Sequence, residues 1–156
     1  MSTLAADLIY PLVNGLVRLP LWSSAQARQQ LRLKGLAWCA CRGHVRAQSQ
    51  YGHFLYFRGR SSEQRHQGVQ FIIAAAQAGD VNSQYQAALL LEQGSDALEM
   101  NTAAAIHWYQ QAGEQGHVQS VRRLIQIYSK GELGVNVDGQ QARYWMAKDQ
   151  RHELAS

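Results

Sequence analysis

The fold is decided by the stretch Ala104-Ala105-Ile106-His107-Trp108-Tyr109-Gln110-Gln111-Ala112-Gly113-Glu114-Gln115-Gly116. Two small residues, Ala105 and Ala112, stand seven positions apart, and the aromatic pair Trp108 and Tyr109 lies between them. These positions share one face of an α-helix. Small side chains let a second helix approach closely, and the aromatic pair fills the space beside them. The stretch therefore predicts a closely packed helix that ends at a glycine.

This pattern recurs before and after the stretch with a period of 36 or 37 residues. The small position that begins the face is held by Gly68, Ala105 and Ala142, and the large pair after it by Phe71/Ile72, Trp108/Tyr109 and Trp145/Met146. A stop glycine followed four residues later by a small residue occurs at Gly43/Ala47, Gly79/Ser83 and Gly116/Ser120. A helix pair with one such face cannot bury it alone, so neighbouring pairs stack. The sequence therefore predicts an all-α fold of antiparallel helix pairs.

The repeated segments resemble a known family. Gly79–Tyr85 resembles the start of a Sel-one-like repeat (SLR), a variety within the tetratricopeptide-like (TPR-like) class. Gly134–Asp138 and Gln141–Lys148 are similar to the later part of that repeat, and Ala104–Ala112 is similar to the core of its second helix. The resemblance covers about residues 43–149. It implies a right-handed α-solenoid of about three repeats, in which the first helix of each pair, helix A, lines the concave side.

The chain is expected to form a single domain, 1–156, because one core suits a chain of this length. The predicted parts are an N-terminal helical extension or cap at 1–42, repeat one at 43–78, repeat two at 79–115 and repeat three at 116–150. The last repeat ends on a polar run at 149–153, which is typical of the solvent-facing end of a repeat array.

The N-terminal segment is apolar-rich from Leu8 to Trp22, and Ala25–Ala27 has the small-x-small form of a cleavage site. A signal peptide needs a positive N-terminal region and an uninterrupted apolar core. This segment instead has an acidic residue and several breaks, at Asp7, Pro11, Asn14, Arg18 and Pro20. A membrane-spanning helix needs about 20 apolar residues in a row. We therefore expect an amphipathic leading helix that docks on the first repeat or contacts a membrane surface through residues 1–22.

The two cysteines indicate a cellular compartment. Cys39 and Cys41 stand two positions apart, which places them about 200° apart around a helix, so they cannot readily pair or share a metal. A chain without a disulfide framework favours a reducing compartment, and we expect a cytoplasmic protein. The alternative is the cell envelope or periplasm, if residues 1–27 act as a signal.

The sequence contains no catalytic motif of a familiar kind. It has no HExxH, no Cys/His zinc spacing, no glycine-rich loop followed by Lys-Ser/Thr and no Gly-x-Ser-x-Gly elbow. His44 and His117 directly follow stop glycines, so each stands just after the end of a predicted helix. A cation is favourable at a helix C-terminus, and we expect the two histidines to have this helix-end role. We therefore expect no enzymatic activity, no cofactor and no metal.

The charge is unevenly distributed. Residues 1–70 carry nine Lys/Arg against two Asp/Glu, a net +7, and residues 71–156 carry a net −3. Such asymmetry is typical of a basic face for an acidic partner, a membrane surface or nucleic acid, and also of a helical face that only meets water. The candidate partner-binding site is the basic, aromatic surface of repeat one, with residues Arg46, Tyr51, Phe54, Arg58 and Arg60. Such a mixture binds nucleic acid or forms a protein hot spot. Since no nucleic-acid motif is present, a protein partner is favoured.

The resemblance to SLR proteins implies a function in protein–protein interaction. The expected protein is a bacterial adaptor or scaffold that holds its partner through the concave helix A face. One alternative is a tight-binding inhibitor or immunity-type regulator of one enzyme, which would bind its target one to one. Another is a cell-envelope-associated SLR protein. Such proteins usually carry regular cysteine pairs and a signal peptide, and neither is evident in this sequence.

Overall fold

The computed structural model describes residues 3–15 and 25–154. These two ranges contain eight α-helices and no β-strand. The helices are α1 (Thr3–Gly15), α2 (Ala25–Cys41), α3 (Val45–Arg58), α4 (Ser62–Gln77), α5 (Val81–Gln93), α6 (Thr102–Glu114), α7 (Val118–Lys130) and α8 (Gly139–Leu154). The predicted all-α class is confirmed.

The helices belong to two compact units. In Met1–Asp80, α1 packs on α2, α2 on α3, and α3 on α4. In Val81–Ser156, α5 packs on α6, α6 on α7, and α7 on α8. Packing of each helix on the next through short connections is the arrangement of an α-solenoid, so the predicted helix-pair architecture is confirmed. The division into repeats at residues 43, 79 and 116 stays a prediction.

The stop glycines of the repeat pattern share one backbone conformation. Gly43, Gly79 and Gly116 have φ angles of 82°, 92° and 87°, a region that side chains other than glycine's rarely tolerate. After α4, Gly79 N–H donates to the Ala76 oxygen and Asp80 N–H to the Ala75 oxygen, each at 3.0 Å. This Schellman arrangement satisfies the last carbonyls of the helix. The glycine therefore recurs because each turn needs it.

His44 and His117 do not serve the end of the preceding helix, and that interpretation is wrong. Each is the N-cap of the helix that follows: its Nδ1 accepts a hydrogen bond from the N–H of Ala47 at 3.1 Å or of Ser120 at 3.2 Å. An accepting ring nitrogen carries no proton, and burial lowers the pKa of His117. The turn is so short that the residue after the glycine already belongs to the next helix.

The face predicted from the deciding stretch is buried. Ala105, Tyr109 and Ala112 are all inaccessible to solvent, and Tyr109 joins the core of the second unit. A Cβ atom on Gly113 would lie 2.9 Å from Cζ3 of Trp145, so the indole ring packs directly on the α6 backbone. The packing prediction for this helix is confirmed.

Two glycines bring α3 and α4 into backbone contact. A Cβ atom on Gly68 would lie 2.6 Å from the Tyr56 nitrogen and 2.8 Å from the Gly52 oxygen. The same positions of the pattern hold Ala88 and Ala105 in repeat two, and both alanines are buried. Small residues at these positions therefore allow the close approach of the two helices in a pair.

The leading helix α1 docks on the chain itself. Ala6 and Val13 are buried, and the Cys39 Sγ lies 3.8 Å from the Ala6 carbonyl oxygen. The Tyr10 ring stacks on His44 with 4.1 Å between the ring centroids. These contacts place α1 on α2 and on the turn that leads into α3.

The helix α1 runs through Pro11. Proline has no backbone N–H, so the carbonyl of Asp7, four residues before Pro11, lacks its usual helical hydrogen bond. Both residues are exposed, so water can donate to that carbonyl instead. Among the described helices, none is long and apolar enough to cross a bilayer. Pro20 and Trp22 lie outside the described residues. The alternative that residues 1–27 act as a signal also concerns residues 1–2 and 16–24, which lie outside them as well.

Candidate functional site

The candidate site lies on α3 and on the connection after it. Arg46, Tyr51, Phe54 and Arg58 belong to α3, and Arg60 stands in the bend before α4. The three arginines are exposed, whereas the two aromatic residues are half-buried. The structure therefore presents the predicted cations to solvent and turns the predicted rings partly toward the core.

Tyr51 and Phe54 pack at the edge of this surface. Their ring centroids are 6.5 Å apart, and the Tyr51 ring lies 5.7 Å from the Phe71 ring of α4. Burial raises the pKa of the Tyr51 hydroxyl, so the side chain remains neutral at physiological pH. Tyr51 therefore packs against α4, and the two half-buried rings leave only part of their surface for a partner.

The exposed face of α3 also contains residues that the sequence interpretation missed. Arg46, Gln50, His53 and Phe57 are exposed, and their spacing of four, three and four residues keeps them on one helix face. Phe57 is 56% exposed, with the His53 ring at 4.5 Å and the Tyr56 ring edge-on at 4.9 Å. Large aromatic side chains are usually well buried, which makes Phe57 the strongest candidate contact on this face. Helical periodicity from Arg46 is the signal that would have found it.

Positive charge dominates the unit that contains α3. Met1–Asp80 carries nine Lys/Arg against three Asp/Glu, a net +6. One of the three acids, Asp80, accepts a hydrogen bond from the Ser49 hydroxyl at 3.0 Å. A surface of this sign favours an acidic partner and speeds its encounter.

The second unit contains a charged network with a structural role. Arg123 donates to both carboxylate oxygens of Glu92, at 2.5 and 3.3 Å, and to Glu132 at 2.5 Å. The Tyr109 hydroxyl donates to Glu92 at 2.7 Å. Burial opposes ionisation of Glu92, but the hydrogen bonds from Arg123 and Tyr109 outweigh it and lower its pKa. The network links α5, α6 and α7 through paired charges, which indicates a structural role.

A polar pocket of about 380 Å³ lies between α6 and α8. It is lined by Gln110, Gln111, Glu114, Gln140, Gln141, Tyr144 and Trp145. Glu114 accepts hydrogen bonds from the Lys148 ammonium and, at 2.7 Å, from the Tyr144 hydroxyl. The hydrogen bond from Lys148 lowers the pKa of this carboxyl. The pocket therefore presents mainly side-chain amides around a carboxylate that is already neutralised.

In residues 3–15 and 25–154, no group of three His, Cys, Asp or Glu side chains is placed to hold a metal ion. The two cysteines are free thiols, Cys39 buried and Cys41 exposed. The described residues present exposed cations, an exposed aromatic ring and side-chain amides, which are groups that protein surfaces use to contact partners.

Comparison with protein families identifies the repeat. The model of the Sel1 repeat matches residues 45–80, 81–117 and 126–148, which together are more than half of the chain. The chain belongs to the Sel1 repeat family. The resemblance inferred from the stop glycines and the alanine–aromatic face is therefore confirmed, and α3 belongs to the first matched repeat.

Two solved Sel1 repeat structures share the fold. A Sel1 repeat protein from Oxalobacter formigenes gives a TM-score of 0.73 at 24% identity, covering 94% of this chain and 58% of that protein. A protective antigen present in uropathogenic Escherichia coli strains, which displays an SLR fold, gives a TM-score of 0.73 at 21% identity, covering 97% of this chain and 31% of the antigen. This chain thus spans less than two thirds of either structure. No curated protein matches it.

Sel1 repeats are typically protein–protein interaction modules built on a non-catalytic helical scaffold. Membership in the family therefore gives the functional class of this chain as protein binding.

Proposed function

We propose that this Sel1 repeat protein is a non-enzymatic adaptor or scaffold that binds an acidic protein partner through α3. The observation that carries the proposal is the exposed Phe57 ring near the C-terminal end of α3, adjacent in sequence to the exposed Arg58 and close to the exposed Arg60, with the exposed Arg46 at the other end of the same helix face. Aromatic and arginine side chains contribute most of the binding energy at protein interfaces. The face therefore combines an exposed aromatic contact with charges that select and orient an acidic surface. α3 is the helix A of the first repeat, the helix that should line the concave side.

The experiment that tests this proposal compares partner capture by matched charge variants. The full chain, tagged at its C-terminus, is used to isolate its partner from the native cell, and the dissociation constant of the purified pair is measured. The triple variant Arg46→Glu/Arg58→Glu/Arg60→Glu should weaken binding at least tenfold, since charge reversal replaces attraction by repulsion. The variant Phe57→Ala should weaken it by a similar factor, as expected for a hot-spot ring.

A triple variant of the second unit provides the control. Lys130→Glu/Arg143→Glu/Arg151→Glu reverses the same number of exposed charges and should leave the dissociation constant within about twofold, because these cations lie outside α3. Equal binding by the α3 variant and the wild type would refute the proposed face. Isolation of a single enzyme that is inhibited one to one would instead support the inhibitor alternative.

The cytoplasm is the proposed location. The two free cysteines support it, because Cys39 is buried and Cys41 exposed, which keeps the two thiols from pairing with each other. The envelope alternative predicts a mature chain that begins after Ala27. The mass of the N-terminal peptide of the native protein distinguishes these locations, since a peptide that begins at Met1 or Ser2 excludes cleavage.

A further inference from the structure

The outer face of α1 forms a ridge of three exposed leucines, here called the leucine ridge. Leu4, Leu8 and Leu12 follow one another at four-residue spacing and are 77%, 75% and 66% exposed. The opposite face of the same helix is buried through Ala6 and Val13. Aligned exposed leucines on one helix face are unusual for a surface that only meets water, and they indicate a contact surface.

Cations of α2 lie at one end of the leucine ridge. Gly35 lies against the Val13 side chain, which sets the register of the α1–α2 pair. Lys34 and Arg32, next to Gly35 along α2, therefore stand near the level of Leu12. Both cations are exposed. The whole unit carries a net +6, so the leucine ridge belongs to a positively charged body.

We propose that α1 docks this protein on the surface of an anionic phospholipid bilayer. The leucine ridge inserts at the boundary between headgroups and acyl chains, and the net charge of +6 on the unit attracts it to the anionic headgroups. Helices that lie in a membrane interface combine an apolar face with nearby cations in this way. The leucines form a single row that projects outward. Because acyl chains are fluid, a bilayer can accommodate this row without a preformed groove. A second copy of the chain is a poorer occupant, because it would bring two units of net +6 together.

Sedimentation of the full chain with lipid vesicles tests the proposal. The protein should bind vesicles of phosphatidylcholine with 30–40% phosphatidylglycerol (roughly the charge density of an anionic leaflet) and bind pure phosphatidylcholine at least tenfold more weakly. Added salt should weaken the binding, because it screens the cations. The variant Leu4→Gln/Leu8→Gln should lower the partition coefficient on the order of 100-fold, about tenfold per leucine. The variant Arg32→Gln/Lys34→Gln should lower it about fivefold per cation.

The second unit again supplies a matched control. Met100 and Val137 are each 65% exposed, so Met100→Gln/Val137→Gln replaces two exposed apolar side chains by the same polar one and should leave vesicle binding unchanged. Circular dichroism shows that each variant keeps the helical content of the wild type. The proposal is overturned if the wild type does not bind anionic vesicles, or if the control loses as much binding as the leucine variant. It is also overturned if light scattering shows a dimer that the leucine variant abolishes, since the ridge would then hold a second copy.

Discussion

A single methyl group at Gly68 tests whether backbone contact between α3 and α4 sets the geometry of the first repeat. In Gly68→Ala the new Cβ would lie 2.6 Å from the Tyr56 nitrogen, 2.8 Å from the Gly52 oxygen and 3.1 Å from the Leu55 carbonyl carbon. All three neighbours are backbone atoms, which cannot rotate away as a side chain would. Because ordinary contacts of a Cβ begin at 3.4 Å, the two helices must separate by several tenths of an ångström.

The expected magnitude follows from two opposing effects. Alanine is favoured over glycine in a helix interior by about 1 kcal/mol. Forcing an extra methyl group into a tightly packed site costs about 1–3 kcal/mol, and a site walled by backbone belongs at the upper end of that range. Gly68→Ala should therefore lower the free energy of unfolding by about 1–2 kcal/mol, although helix propensity alone predicts a gain.

Urea unfolding followed by circular dichroism measures this difference, with Gly139→Ala as the control. A Cβ on Gly139, the first residue of α8, would meet nothing within 4 Å, so that variant should be as stable as the wild type or slightly more stable. The midpoint of Gly68→Ala should shift to lower urea with little change in slope. If Gly68→Ala instead unfolded at the same or higher urea concentration than the wild type, the close helix contact would not be limiting and the reasoning would fail.

Three further predictions concern the second unit. Ala105→Leu should lower the free energy of unfolding by about 1–3 kcal/mol through overpacking, and an unchanged urea midpoint would contradict the burial of that face. Glu92→Gln should cost about 2 kcal/mol by leaving Arg123 incompletely paired. It should also flatten the acid dependence of stability: because the folded-state pKa of Glu92 is lowered, its contribution is present above about pH 4.5 and is lost as the pH falls through the folded-state value. A pH series of urea midpoints checks this. His117→Ala should cost about 1 kcal/mol, whereas His117→Asn should keep the N-cap. The wild type should lose stability below about pH 6.5, since burial lowers the pKa of His117, and the asparagine variant should lose less.

The fold could be predicted because its determinants are local and repeated. The stop glycines recur because each turn requires a positive φ. Ala105 and Ala112 recur as small residues because the close helix contact excludes larger ones. Each of these requirements acts within a few residues of sequence, so a comparison of three copies was enough to reveal them.

The candidate surface was less predictable, because exposure depends on which neighbouring helices cover each face. Phe57 stands beside three other aromatic residues in the sequence and nothing in that pattern singles it out, yet it is 56% exposed whereas the other three are half-buried. Tyr51 looked like a contact residue and is half-buried against Phe71. His44 was assigned to the wrong helix, since only the backbone path of the turn shows which helix it caps. In each case the decisive neighbour is one that sequence spacing alone does not identify.

The balance of charges gives a reason to assign binding to the first unit. In Val81–Ser156 the acids outnumber the cations by two, and pairs such as Glu92–Arg123 and Glu114–Lys148 neutralise charge within the unit. Met1–Asp80 holds nine cations and three acids, so it cannot neutralise its own charge. Cations left without carboxylates lower stability through mutual repulsion, a cost that an anionic partner removes when it binds. Both proposed surfaces, the α3 face and the leucine ridge, lie in this unit, and an acidic protein or an anionic bilayer would each relieve the same repulsion.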